Sequence, residues 1–538
     1  CYKTDLMDSE GYFFNFPFIT NSNIQIQNSS FEKAASAVMQ ECPSLTLDKF
    51  QRPLNAFVIS NPFSRSDICS NYLADHSKNR TGSLFFLGQF YGNLSVISSQ
   101  FRHIIGLSGS VFSIKKVTNV ALSSFLFQNS IFDGNFAFYG FAAISIFQDI
   151  SNYLNSIKLS KVIIDNCTFS NHRGCPGSMG TVLIQGTNSL NSTCSKDGLL
   201  TTSITSERTN FKNYMTSLSS QAPLVNVINS LFFNNTLIVS NSLAIIGFPY
   251  VRISGNSFIR NGHYLLSYGT QTLKESFWGQ LYPSKANLIN DKDGFQSASA
   301  LYIQFGLAVD ISNNLFDSNW ALFSASWIPG SSLTLKNQFM FSDFIRLQHN
   351  IFTNHGILPS DITSQLTAYP IVAANQEFWM PVITFSLFEK YCAELKSIIS
   401  NIDVTLRFEN NTVKDNIFPQ PQNGKQYTST TIGNSQWQSY HTEINNDRHQ
   451  NFLKFLTTYE DNDSGVVTSI TPDFADSSTR ITLSLTNSKF INNTFVYRGC
   501  IIPSMIPNTV IMTGVQISQN KINIIEDNFF SSTSTSKI

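Results

Sequence analysis

The 538 residues are 42% hydrophobic and only 13% charged, with 47 phenylalanines, whereas an average globular chain has about a quarter charged residues, so there is material for a core and a disordered polymer is excluded. Thirty-five basic residues balance thirty-five acidic ones without a run of like charge, which argues against a nucleic-acid partner or an anionic membrane surface. The most apolar stretch, residues 500–515, is broken by Pro503, Ser504, Pro507 and Asn508 and falls short of the roughly 18 uninterrupted apolar residues of a membrane helix.

In chain order, an eleven-residue unit starts at Ile24, Leu94, Phe125, Val162, Val225, Val251, Val309, Ile345, Leu406, Leu483 and Val515. Its clearest copies run from Val251 to Asn261 and from Val309 to Asn319, which align without a gap. Positions 1 and 3 are apolar, position 6 is small or polar, position 8 is Phe and position 11 is Asn. Position 8 reads Phe31, Phe101, Phe132, Phe169, Phe232, Phe258, Phe316, Phe352, Val413, Phe490 and Ile522. Position 6 includes Asn256, Asn314, Asn350, Asn411 and Asn520, with Ser or Cys167 elsewhere; position 11 is Asn in six copies and His172 or His355 in two. Starts lie 26 to 37 residues apart or 58 to 77; the short gaps fit one turn of a solenoid, the long ones two turns or one turn with an insertion.

Apolar residues at 1 and 3 have the period of two that puts both on one face of a strand. Asn at 6 suits a bend because it tolerates left-handed backbone angles, and Phe at 8 then points inward from a second strand. Further apolar strands are expected at residues 143–146, 181–184, 243–246, 300–305 and 500–502. The expected fold is all-β: a right-handed single-stranded parallel β-helix, one domain over residues 1–538. Irregular insertions fall at about 37–92, 187–222, 264–296, 356–403 and 417–480. A chain starting at Cys1 reads as a fragment or processed form of a longer protein.

Phe132-Asp-Gly-Asn135, Phe258-Ile-Arg-Asn261 and Phe316-Asp-Ser-Asn319 resemble the Phe-x-x-Asn repeats of chlamydial polymorphic outer-membrane proteins, within the pectin-lyase-like right-handed β-helix superfamily. The companion Gly-Gly-Ala-aliphatic signature is present only in decayed form at residues 140–144. The Asn-, Ser-, Ile- and Phe-heavy usage also resembles large surface β-helix proteins of protists. The resemblance implies the fold and leaves the activity open.

A polysaccharide lyase or hydrolase on this fold needs paired carboxylates at the glycosidic bond or carboxylates holding calcium. The acidic clusters are Asp291 with Asp293 and Glu460 with Asp461 and Asp463. Both lie in insertions and read as solvated loop charge, with calcium at Asp461 and Asp463 the alternative. The superfamily's Asn-Thr-Asp and Asp-Asp hydrolase pattern is absent, and no catalytic or metal-ligating set is assigned. His172 and His355 read as substitutes for Asn in the position-11 ladder, and His349 as exposed.

Eight cysteines include no Cys-x-x-Cys pair. In an oxidising compartment, Cys42 with Cys69 and Cys175 with Cys194 are expected to clip the first two insertions, with Cys167 a buried small residue; pairing of Cys1, Cys392 and Cys500 is open. Nine Asn-x-Ser/Thr sequons stand at Asn28, Asn79, Asn93, Asn166, Asn191, Asn234, Asn410, Asn462 and Asn492. Asn28, Asn166 and Asn410 fall at position 5 and Asn234 and Asn492 at position 10, both expected to face outward. The expectation is a non-enzymatic extracellular or cell-surface glycoprotein without a cofactor other than N-linked glycans. It would be a rigid rod stacking end to end along the solenoid axis or meeting other surface glycoproteins and glycans. The alternative is a carbohydrate-active enzyme or carbohydrate-binding β-helix.

Overall fold

The computed structural model describes residues 13–33, 83–106, 111–117, 123–148, 160–186, 223–237, 241–248, 250–266, 298–304, 306, 308–324, 331–338, 345–355, 383–387, 403–416, 467–470, 480–496 and 509–523. All regular elements among them are β-strands, and all their pairings are parallel. The architecture is a parallel β-helix. Parallel strand–connection–strand units take the right-handed sense because a right-twisted strand closes on its sheet that way.

One turn shows the plan. The first strand, Ser124–Gln128, carries positions 1 and 3, and the second, Ile131–Asp133, carries position 8; the long strand Phe136–Gln148 bends to serve as third and fourth. Second strands of successive turns form an eleven-stranded sheet; the other strands join in a larger one, except Thr494–Val496 and Lys521–Asn523, which pair with each other. Inside, position 1 stacks Phe125 on Val162 on Val225 on Val251 on Val309, and position 3 stacks Phe127 on Ile164 on Val227 on Ile253 on Ile311. These side chains are at most 1% exposed.

The position-8 residues pair in one column from Phe31 through Phe101, Phe132, Phe169, Phe232, Phe258, Phe316, Phe352 and Val413 to Phe490. Phe258 and Phe316 are buried and stack with ring centroids 5.0 Å apart. Each buried ring contributes about 2 kcal/mol by leaving water. Fourth strands add another inner column, Phe14 on Phe85 on Phe112 on Ile144 on Val182 on Leu243 on Leu301 on Leu333.

Three expectations are corrected, and one left open, the nature of the long gaps, is decided. The last turn starts at Val510, which pairs with Leu483, so Ile517 rather than Ile522 continues the phenylalanine column below Phe490. Asn520 accordingly leaves position 6 for position 11. Every long gap is a single turn with an insertion, since Ile24 pairs directly with Leu94 and Val162 with Val225. Stretches read as insertion contribute fourth strands, Ile383–Leu387 and Val467–Ile470, and the start of Phe85–Ile97. The expected strand at 500–502 lies outside the described residues.

Candidate functional site

The left-handed corner is not position 6 but the residue before it. Position 5 has a positive φ in all eleven described turns, from 47° at Asn487 to 70° at Gly255, and so has position 10, from 52° at Asn234 and Asn492 to 63° at Gly134. Asn and Gly tolerate this region best, and Asn occupies position 5 at Asn28, Asn129, Asn166, Asn229, Asn313, Asn410 and Asn487. The corner breaks strict alternation: positions 4 and 5 face outward in succession, and position 6 returns inward.

Positions 6 and 11 therefore carry buried polar ladders. Asn256, Asn314, Asn350 and Asn411 are at most 2% exposed. Each donates its Nδ2–H to a position-3 carbonyl of the preceding turn, as Asn314 does to Ile253 O at 2.9 Å. Asn314 Oδ1 accepts the Asn256 backbone N–H at 2.9 Å and Asn256 Nδ2–H at 3.0 Å. Serines supply shorter versions, Ser230 Oγ accepting the Cys167 N–H and Ser488 Oγ the Asn411 N–H. At position 11, Asn235, Asn261, Asn319, Asn416, Asn493 and Asn520 donate to the position-8 carbonyl of the preceding turn. His172 Nδ1 accepts the Asn135 N–H at 3.2 Å, the place an Asn Oδ1 takes elsewhere in that ladder. His355 is 1% exposed, and burial pushes its imidazole down to about 4.

The outward corners form two more columns, and five of the nine sequons lie on them. Asn28, Asn166 and Asn410 are exposed at position 5; at position 10 Asn492 is exposed and Asn234 half-buried. Exposed Asn93 stands just before position 1. Their amides reach back one turn: Asn93 Nδ2–H to Asn23 Oδ1, Asn166 to Asn129, Asn234 to Asn171 and Asn492 to Asp415, each at 2.8 Å. Asn410 Nδ2 lies 3.5 Å from Nε2 of exposed His349. Asn129, Asn171 and Asn23 were not singled out in the sequence; for Asn129 and Asn171 the Asn or Gly recurring one residue before an inner ladder was the available signal. Asn79, Asn191 and Asn462 lie outside the described residues, as do Cys42, Cys69 and Cys194, the side chain of Cys175, and both acidic clusters. Cys167 is a buried free thiol.

Ion pairs on the described surface include Arg252 with Asp310 and Lys414 with Asp415. Burial pushes the Asp310 carboxyl up against the opposing effect of Arg252 and Arg346, and Arg252 Nε lies 3.8 Å from it. Burial also raises Asp133, but hydrogen bonds from Ser170 Oγ at 2.7 Å and Asn171 Nδ2 at 2.8 Å, together with the nearby His172 and His103, outweigh it and hold the carboxyl below its usual value. Among the described residues, no group of three or more His, Cys, Asp or Glu is placed to hold a metal, and no helix is long and apolar enough to cross a membrane.

These ladders and corners define a β-helix whose first and second strands are uninterrupted and whose insertions leave from the other edges. No protein-family model, no curated protein and no solved structure matches the chain.

Proposed function

We propose that the protein is a non-enzymatic extracellular structural or adhesive glycoprotein, a rigid β-helical rod with sugar on its corners, akin to pectin-lyase-like β-helices of the Phe-x-x-Asn repeat kind. The observation that carries this reading is the placing of Asn28, Asn166, Asn234, Asn410 and Asn492 on the two outward αL columns. A glycan is bulky and hydrated and needs a surface position. Where the acceptor hydroxyl is described, at Ser30, Thr168 and Thr412, it shares that outer face at position 7 and is exposed or half-buried. Glycosylation replaces one of the two amide hydrogens, so the hydrogen bond from Asn166 to Asn129, or from Asn492 to Asp415, keeps its donor. Rigidity follows from the buried ladders, because each turn's polar groups are satisfied only by its neighbours.

Glycopeptide mass spectrometry of protein purified from its native source tests the reading. Hexosamine on Asn166, Asn234, Asn410 or Asn492 is the expected result. All of these sequons bare in native material overturns it.

A further inference from the structure

We propose that Arg173 is a sugar-binding residue, which holds the first N-acetylhexosamine of a glycan on Asn234 against the body of the rod. This rests on the glycoprotein reading above and names a residue that contacts the sugar. Asn234 differs from the other corner sequons: it is half-buried where Asn28, Asn166, Asn410 and Asn492 are exposed. Arg173 stands at position 12 of the preceding turn, directly across the sheet from Thr236, the hydroxyl residue of the same sequon. Its Nη1 donates to the backbone carbonyls of His172, at 2.9 Å, and of Asn234, and its Nη2 donates to Asn234 Oδ1 at 3.4 Å. Asn234 Nδ2 in turn donates to Asn171 Oδ1 at 2.8 Å. The side-chain amide is thus fixed in one orientation before any sugar is attached. Position 12 holds Phe136 in the turn before and Thr236 in the turn after, so the solenoid itself does not require an arginine there.

A glycosylated asparagine is a secondary amide, planar and trans like a peptide bond, and the trans form places the anomeric carbon of the sugar beside Oδ1 rather than beside Cβ. Arg173 lies on that side of Asn234. The first sugar therefore leaves the corner past the guanidinium, a planar fork of N–H donors facing the hydroxyl and acetamido oxygens of the sugar, which are acceptors. The carbonyls that anchor Nη1 already restrict the arginine, so it has little rotamer freedom left to lose when the sugar docks. Elsewhere the corner amides meet different groups: Asn129 at Asn166, His349 at Asn410 and Asp415 at Asn492. A carboxylate has no donor, and an amide or imidazole has fewer than a guanidinium and no fixed charge. Sugar on those exposed corners projects into water, whereas sugar on Asn234 is held.

The test uses the full 538-residue chain and its Arg173→Ala and Arg173→Lys variants, all secreted from one glycosylating host and digested without denaturant by peptide-N-glycosidase, which cuts the Cγ–Nδ2 bond. Release at each site is read as the change of Asn to Asp in peptide masses. In the wild type, sugar should leave Asn234 about tenfold more slowly than Asn166, Asn410 and Asn492, the factor that one hydrogen bond to a charged group supplies, and all sites should be cut alike in denaturant. Arg173→Ala should bring Asn234 to the rate of the other sites. Arg173→Lys, which keeps the charge without the fork, should fall between, and it carries the test alone if the alanine variant is not secreted. Asn166 belongs to the same turn as Arg173 and reports any loosening of it, so its rate should stay unchanged. Sugar on the other corners but none on Asn234, equal rates in the native wild type, or variants that leave Asn234 slow overturn the proposal. So does a variant that speeds Asn166 as much as Asn234, since the turn rather than the guanidinium then sets the rate. All of these outcomes leave the rod reading standing, which falls only if the sequons are bare throughout in native material.

Discussion

Phe408, at position 3 of its turn, stacks on Phe490, at position 8 of the next, with ring centroids 6.0 Å apart and planes within 14°. Its own turn lacks a ring at position 8, where Val413 follows Phe352 in the column. The large residue has moved across the core rather than disappeared, which conserves volume in a close-packed interior. Val413→Phe alone should overpack the turn and cost about 1–3 kcal/mol, and Phe408→Leu alone should leave a void costing about 1–2 kcal/mol. The double variant should recover most of both losses, a coupling read from denaturant midpoints in a double-mutant cycle. Strict additivity would show that the two sites do not share space.

Asn314 sits mid-ladder with four side-chain hydrogen bonds, two accepted from Asn256 and one each donated to Ile253 O and Asn350 Oδ1. Asn314→Ala strands the Asn256 N–H in a dry interior and should cost about 3 kcal/mol or more, since an orphaned buried donor alone costs about 1–3 kcal/mol. Asn314→Ser should cost less, because Ser230 and Ser488 show that a hydroxyl at this position accepts the same backbone N–H. Thermal unfolding should rank wild type above Ser above Ala, and equal Ser and Ala would deny the ladder its acceptor role.

Burial pushes the Cys167 thiol up to about 12, so at pH 8 it has almost no thiolate to react. Alkylation of the native protein at Cys167 should proceed only as fast as the turn opens, whereas in denaturant it should be immediate. Cys167→Ser should fold with stability within about 1 kcal/mol of wild type, since serine holds position 6 in the turns on either side, at Ser130 and Ser230. Rapid native labelling, followed by peptide mass spectrometry, would place the thiol outside the ladder.

The body of the rod was legible because two unrelated signals, apolar residues two apart and Phe two beyond a small polar residue, recur at one spacing whatever the insertion between them. The last turn was misread because Val515-Gln-Ile517 imitates positions 1 to 3 as well as Val510-Ile-Met512 does; Gly514, the counterpart of Gly255 at position 5, separates the two once the corner is known to be left-handed. The fourth strands Ile383–Leu387 and Val467–Ile470 escaped notice because they lie outside every copy of the eleven-residue unit in the sequence. The corner itself was placed one residue late, since Asn occurs on both sides of it and only backbone angles distinguish the outward Asn410 from the inward Asn411.

His355 takes the place of Asn in the position-11 ladder, and there its imidazole titrates at about 4 rather than 6.5 because burial disfavours the charged ring, a hydrogen bond with the Asn319 backbone opposing only part of this. Between those two values the unfolded chain binds a proton at this residue and the folded chain does not. Stability from the neutral ring is therefore complete above about pH 6.5 and is lost as pH falls toward 4, below which the loss levels off. A difference of roughly 2.5 pH units corresponds to about 3 kcal/mol. His355→Asn restores the residue that holds this position in most other turns and has no proton to gain. Its unfolding midpoint should therefore fall less between pH 7 and 4 than that of the wild type, by an amount comparable to that 3 kcal/mol. Parallel pH profiles for the two proteins would show that His355 is not the titrating group.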